Sequence, residues 1–244
     1  MSLGVDCVSR EVCKEDHRPH LASTLPFPPT EPPPKPPRYV RRTYWWMYRG
    51  RVYRVELIIN LADYDYYRER KEQIIREMGK DGLTDIHDYC YYYPRMAVVD
   101  KYVRELASKI YKLSPHKYGA ELVNFVASFV QNIYYNEIGE IIIIDGVIYR
   151  DNPKYPLETL IEGGDCEDKA ILASALLKAL RYNIALVLFE RPDHIMVGVK
   201  TSCPYSGWNV KGYCLLETSS YGWKLGSIPD RLKGATCLVC PVKG

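Results

Sequence analysis

The stretch "EGGDCEDKAI", residues 162–171, sets two glycines before an acid and a cysteine, and a helical pattern begins at that cysteine. A thiol in the first turn of a helix lies among unpaired backbone N–H groups at the positive end of the helix dipole. That location favours the thiolate, the nucleophilic form. Gly163 and Gly164 allow a sharp turn and the close approach of a second backbone. Asp165 fits the N-cap position, with Asp168 three residues on in a capping-box-like place. Three acids so near the sulfur (Asp165, Glu167 and Asp168) repel a thiolate. The dipole therefore cannot activate Cys166 alone, and a cationic neighbour is required.

Among five histidines, His194 in "RPDHIMVGV" is the one at the head of a strand after the helix. A thiol–imidazole pair activates the sulfur and supplies a proton to a leaving group. The imidazole in turn needs an acceptor that fixes its tautomer. Glu217 in "CLLETSS" takes that role if strands 194–199 and 212–217 pair antiparallel. Each residue alone also has a plain structural reading: buried filler, a hydrogen-bonded strand histidine, a solvated strand end. The ordered combination is what points to nucleophilic chemistry.

These residues need elements to carry them. "TYWWMYRGRVYRVELIIN" reads as a hairpin turning at Gly50, with Tyr53, Val55, Leu57 and Ile59 on one strand face. A helix around "YDYYRERKEQIIREMG" closes at Gly79. Residues 97–113 place Val99, Tyr102, Val103, Leu106, Ile110 and Leu113 on one helical stripe, and 119–135 do the same with Leu122, Phe125, Val126, Phe129, Val130 and Ile133. "EIIIIDGVIY" reads as a strand pair turning at Asp145-Gly146. The helix over 166–182 carries Ile171, Leu172, Ala175, Leu176, Ala179 and Leu180 as its apolar stripe, with Asn183 as a left-handed stop. "IALVLFE", "HIMVGVKT" and "GYCLLETS" then alternate as strands. A helix packed on an antiparallel sheet, an α+β arrangement, follows.

The blocks "FVQNIYY", "YPLETLIEGGDCEDKAILASALLKAL", "DHIMVGV" and "YCLLETSSYGWKLG" resemble archaeal and bacterial transglutaminase-like domains, a branch of the papain-like thiol enzymes. The match covers residues 119–228, and the upstream hairpin and tyrosine-rich helix resemble the archaeal members. The resemblance implies an α+β papain-like/transglutaminase-like core and a catalytic triad of Cys166 as nucleophile, His194 as acid/base and Glu217 as third member, where many relatives have Asp. It also makes Gln131 a candidate oxyanion donor beside the Cys166 amide, since papain-like sites use a side-chain amide there. The equally open alternative is a buried glutamine bonding backbone. The same constellation forms a thioester that water resolves in a protease or peptidase and an amine resolves in a transglutaminase. A cysteine protease, a thiol hydrolase of peptide or isopeptide bonds, is the expected activity, with no cofactor and a protein or peptide as substrate.

Other signals compete. Cys7, Cys13, His17 and His20 form a C-x5-C-x3-H-x2-H pattern that could hold zinc, and Cys237-x2-Cys240 could bind metal or bridge, although neither is a doubled pair. Cys203 and Cys214 flank a loop and could be bridged. Between Glu31 and Glu56 lie seven Lys or Arg and no acid, interleaved with six aromatics. That patch suits nucleic acid or an anionic surface, which with the proline-rich tail would make the protein a catalytically silent interaction or nucleic-acid-binding protein, or it is simply a solvated hairpin face with its aromatics packed inward.

At 244 residues, 47% apolar, 26% charged and net charge +3, the chain reads as globular rather than disordered, and its charge names no partner. Residues 1–38 end in "LPFPPTEPPPKPPR", which reads as a tail and proline-rich linker able to meet a partner protein. Residues 39–115 then form hairpin and helices, and 116–244 the thiol-enzyme core. No membrane span and no signal segment is seen, so a cytoplasmic location is expected. Glutamine occurs only at 73 and 131, a hint of a thermophile source that would relax the usual avoidance of cytoplasmic disulfides.

Overall fold

The computed structural model describes residues 38–78, 86–136, 142–149, 153–204 and 207–243. Gly79, nearly all of the proline-rich segment and the possible zinc ligands Cys7, Cys13, His17 and His20 lie outside them. The first element is the hairpin of β1 (Tyr39–Tyr48) and β2 (Arg51–Asn60), paired antiparallel from Tyr39↔Asn60 to Tyr48↔Arg51. Its two-residue turn is Arg49-Gly50, both left-handed at φ 49° and 74°, which matches the twist of paired strands. Strand alternation sends Trp46, Tyr48, Val55, Leu57 and Ile59 into the core. Trp46 meets Tyr53, Phe125 and Phe129 with ring centroids 5.4–5.6 Å apart. Trp45 stays outside under the Arg54 guanidinium, 5.3 Å from its ring. Of the hairpin cations, Arg49 is spent on Glu121 at 2.6 Å and Arg54 on Glu56 at 2.5 Å.

Four helices follow: α1 (Leu61–Met78), α2 (Ile86–Met96), α3 (Lys101–Leu113) and α4 (Gly119–Gln131). Helix α3 starts four residues later than the apolar stripe suggests, because Asp100 accepts a 2.7 Å hydrogen bond from the Val103 amide and caps it. The short pair β3 (Ile142–Ile144) and β4 (Val147–Tyr149) turns at Asp145-Gly146, as expected. Helices α5 (Pro156–Glu162) and α6 (Cys166–Ala179) lead into a five-stranded antiparallel sheet. Its strands are β5 (Ile184–Phe189), β6 (His194–Val199), β7 (Asn209–Val210), β8 (Tyr213–Leu216) and β9 (Cys237–Pro241), in the order β7-β8-β6-β5-β9. The fold is thus α+β, with the cysteine-bearing helix packed on an antiparallel sheet behind an N-terminal hairpin and helices.

Three sequence expectations are corrected here. Helix α6 has no single apolar stripe: every residue from Asp168 to Leu177 is buried, because the sheet and α3, α4 and α5 surround it. Its left-handed stop is Arg181, at φ 68°, not Asn183. Cys237-x2-Cys240 is not a dithiol, since Cys240 on β9 is bonded to Cys90 on α2. The Cys203–Cys214 bridge is present, leaving Cys166 and Cys237 as the free thiols among the described residues.

Helix α1 is fastened to α5 by a buried ion pair, Lys71 Nζ to Glu158 Oε1 at 2.7 Å, with both side chains almost without solvent contact. Removing one partner strands the other charge. Lys71→Met is expected to lower unfolding free energy by about 3 kcal/mol, with Lys71→Met/Glu158→Leu recovering most of it, as read by urea denaturation.

Candidate functional site

The start of α6 is built by backbone. Gly163 ends α5 with its amide on the Thr159 carbonyl at 2.9 Å and a φ of 79°. Gly164 then bridges to the chain leaving α4, donating to the Tyr134 carbonyl at 3.0 Å and accepting from the Asn136 amide at 3.2 Å. A Cβ on Gly163 would stand 2.5 Å from the Tyr134 oxygen, and one on Gly164 would stand 2.3 Å from the Asp168 Cβ. Both glycines are therefore required by close approach. Asp165 caps α6 by accepting from the Asp168 amide at 3.3 Å. Asp168 is anchored in turn by the Lys154 amide at 2.6 Å and its Nζ at 3.1 Å. Burial and the Asp165 charge push the Asp168 carboxyl up to about 7, against the pull of Lys154.

On the sheet, β6 and β8 run antiparallel with Val197↔Leu216 and Val199↔Cys214, which sets the end of β8 beside the start of β6. His194 is the first residue of β6, and Glu217 follows β8 directly. His194 Nε2 and Glu217 Oε2 are 2.6 Å apart, both buried. Burial alone would raise the Glu217 carboxyl. The hydrogen bonds from His194 and from the Ser219 amide, the latter 2.7 Å, outweigh it and hold the carboxyl below the usual range. The other ring nitrogen, Nδ1, faces Arg231 at 3.4 Å, on a single 3-10 turn over Asp230–Leu232. A guanidinium only donates, so Nδ1 presents its lone pair and the ring proton sits on Nε2, toward Glu217.

Cys166 and His194 line one cleft of about 250 Å³, together with Glu167, Ile195, the end of β5, the turn after it, and α2. The Cys166 Sγ lies 3.5 Å from Glu167 Oε2, and the Ile195 amide is near enough to favour negative charge on it. Burial, then the charges of Glu167 and Asp165, push the thiol well above its ordinary range. Glu167 itself is raised by burial and by the neighbouring Asp165 and Asp168. Sequence reasoning expected the helix dipole and an imidazole to favour a thiolate at rest. In the structure desolvation and the acids oppose it, which favours the protonated thiol at rest.

Gln131 is not among the residues lining this cleft. Its amide donates to the carbonyls of Glu217, at 2.8 Å, and Trp223, at 3.0 Å, and its oxygen accepts from the Gly222 amide at 3.2 Å. It therefore bonds backbone, and its donors are already used. Lys169 was not singled out from sequence, although a lysine three residues past the cysteine on a wholly buried helix is itself a signal. Its Nζ donates to the carbonyls of Ser219, at 2.9 Å, and Gln131, at 3.3 Å, and burial brings it down to about 8 against the pull of Glu217. Among the described residues no group of three or more His, Cys, Asp or Glu side chains could hold a metal ion, and no helix is long and apolar enough to cross a membrane.

No protein-family model matches the chain, and no curated protein matches its sequence. Among solved structures, a Cytophaga hutchinsonii protein provisionally named a cysteine protease is similar over 86% of this chain and 80% of its own, at 10% identity and a TM-score of 0.34. So loose a likeness decides nothing about chemistry, and the reading of the site rests on its geometry.

Three outcomes test this geometry. Glu167→Gln removes the first-ranked charge opposing the thiolate, so alkylation of Cys166 at a fixed pH near 8 should become faster, by timed iodoacetamide labelling and mass spectrometry. In the unmodified protein that labelling should climb with pH beyond 9 without a plateau, since the thiolate fraction grows only as the raised thiol ionises. Gly164→Ala should displace Asp168 from its cap and cost roughly 3 kcal/mol of stability in thermal or urea unfolding.

Proposed function

We propose that the protein is a cysteine-dependent hydrolase of peptide or isopeptide bonds, with Cys166 as nucleophile, His194 as acid/base and Glu217 as the residue that orients the ring. The supporting observation is the buried His194–Glu217 pair, 2.6 Å apart, whose ring shares a cleft with a free thiol at a helix start. With Nε2 committed to Glu217, Nδ1 is the nitrogen left to take a proton; it faces Arg231 at 3.4 Å and makes no hydrogen bond to the Cys166 sulfur at rest, so Arg231 must turn aside and the ring approach the sulfur first. As a substrate enters, the Cys166 S–H proton passes to Nδ1 and the sulfur attacks the amide carbonyl carbon. The imidazolium then gives that proton to the departing nitrogen as the C–N bond breaks, leaving a thioester on Cys166 and a free amine. Water, deprotonated by Nδ1, attacks the thioester, releasing a carboxylic acid and returning the proton to sulfur.

The Ile195 amide beside the sulfur and the amide of Cys166 itself, which the Asp165 cap does not engage, are donors available to the oxyanion. This work falls to backbone rather than to Gln131, whose amide is engaged elsewhere. A protonated resting thiol makes the base essential to the first step, unlike a preformed ion pair. Transglutaminase-type acyl transfer uses the same thioester with an amine in place of water, so it differs only in what resolves the intermediate.

Digestion of a fluorogenic peptide library tests the proposal. Cys166→Ala and His194→Ala should each lose at least about a thousandfold in kcat/KM, and Glu217→Gln less. A peptide fragment bound covalently to Cys166 should be trapped by acid quench and seen by mass spectrometry. Turnover by Cys166→Ala equal to the parent would sink the assignment. Product masses with an added primary amine distinguish acyl transfer from hydrolysis.

A further inference from the structure

The walls of the Cys166 cleft differ in character. One side is α2, contributing Ile86, Tyr89 and Tyr93, and the floor is Leu188 and Phe189 at the end of β5. The other side is the turn between β5 and β6, contributing Glu190 and Asp193, both exposed. Neither of these two makes an ion pair or a hydrogen bond with another described residue. Among the described residues no Lys or Arg lines the cleft, although Arg231 approaches His194 and exposed Arg191 stands in the same turn. A volume near 250 Å³ is below the size of an ordinary drug-like ligand site, so it fits one long side chain rather than a folded partner.

We propose that this cleft selects peptide substrates carrying a lysine or arginine side chain next to the scissile amide, through Glu190 and Asp193. The inference rests on the hydrolase reading of the same site and adds its substrate class. A long cationic side chain matches both walls at once. Its aliphatic stem lies along Ile86 and Leu188, and the tyrosine faces attract the cation. Its charged head reaches the two carboxylates, which pair with no cation among the described residues. An acidic side chain in that position would meet the same carboxylates and be rejected, so selection has a repulsive arm as well as an attractive one. The described residues offer no three-ligand cluster for a metal ion, so the cation that suits this rim is organic. A short α-ammonium could not use the apolar walls, so a side chain is favoured over a peptide N-terminus.

The experiment uses the full chain and N-acetylated fluorogenic peptides differing only at the residue beside the scissile bond: lysine, arginine, norleucine or glutamate. For the parent protein, kcat/KM for lysine should exceed that for norleucine roughly tenfold, the scale of two partly solvated charge pairs. That ratio should fall as ionic strength rises. In Glu190→Gln/Asp193→Asn the ratio should collapse toward one, and in Glu190→Lys/Asp193→Lys the preference should turn to glutamate. Circular dichroism and Cys166 labelling show that each variant is folded. Equal parental rates on lysine and norleucine would overturn the proposal while leaving the hydrolase reading intact, as would a lysine preference that survives neutralisation of both carboxylates. Absence of Cys166-dependent turnover on every peptide would overturn both.

Discussion

Two buried polar side chains, Gln131 at the end of α4 and Lys169 on α6, fasten the residues after β8 to the helix that carries the cysteine. Gln131 holds the Glu217 carbonyl and Lys169 the Ser219 carbonyl, and Lys169 also holds the Gln131 carbonyl. Three elements that come from distant parts of the chain are thereby locked at fixed separations. Without them, the sheet end bearing Glu217 would be free to drift from α6, and the orientation of His194 through its 2.6 Å partner would drift with it. Polar groups in so dry a place are costly unless every bond is made. Here they are made to backbone carbonyls, so the arrangement is tied to main-chain position rather than to side-chain rotamers.

The acids around Cys166 show how structure and chemistry pull against each other. Asp165 caps the helix and Asp168 clamps Lys154, which are structural duties. Their charges, with that of Glu167 and with burial, suppress the thiolate that the helix dipole would favour. A first-turn cysteine therefore does not by itself make a reactive thiol. The outcome depends on the sum of desolvation and neighbouring charge, and in this site that sum leaves the sulfur protonated until something draws its proton away.

Much of the fold was legible because its signals are local. Period-two alternation in the β1–β2 hairpin, the short apolar runs of β5 and β6, the Asp-Gly turn at 145–146 and the capped start of α6 are all short-range features, and they appear where the pattern puts them. So is the antiparallel pairing that brings Glu217 to His194. What was not legible depends on partners far away in sequence. Strand β9 has no turn signal pairing it with a neighbour in sequence and exists by pairing with the distant β5, helix α2 carries a proline and four tyrosines, and the burial of α6 on all sides needs neighbours that no stripe reveals. Gln131 could be read two ways until the backbone groups that satisfy it were in place, and Arg231 lies 37 residues beyond the ring it faces.

The Cys90–Cys240 bond joins α2 to the edge strand β9 across a sequence separation of 150 residues. Cys166, His194 and Glu217 all fall between its two ends, as do Gln131 and Lys169. The whole proposed machinery is thus carried on a macrocycle closed from a cleft wall to β9. Closing so large a ring denies the unfolded chain roughly 5 kcal/mol of conformational freedom in the chain-entropy picture. Elements joined by bonds as scattered as these then have less far to search before they meet.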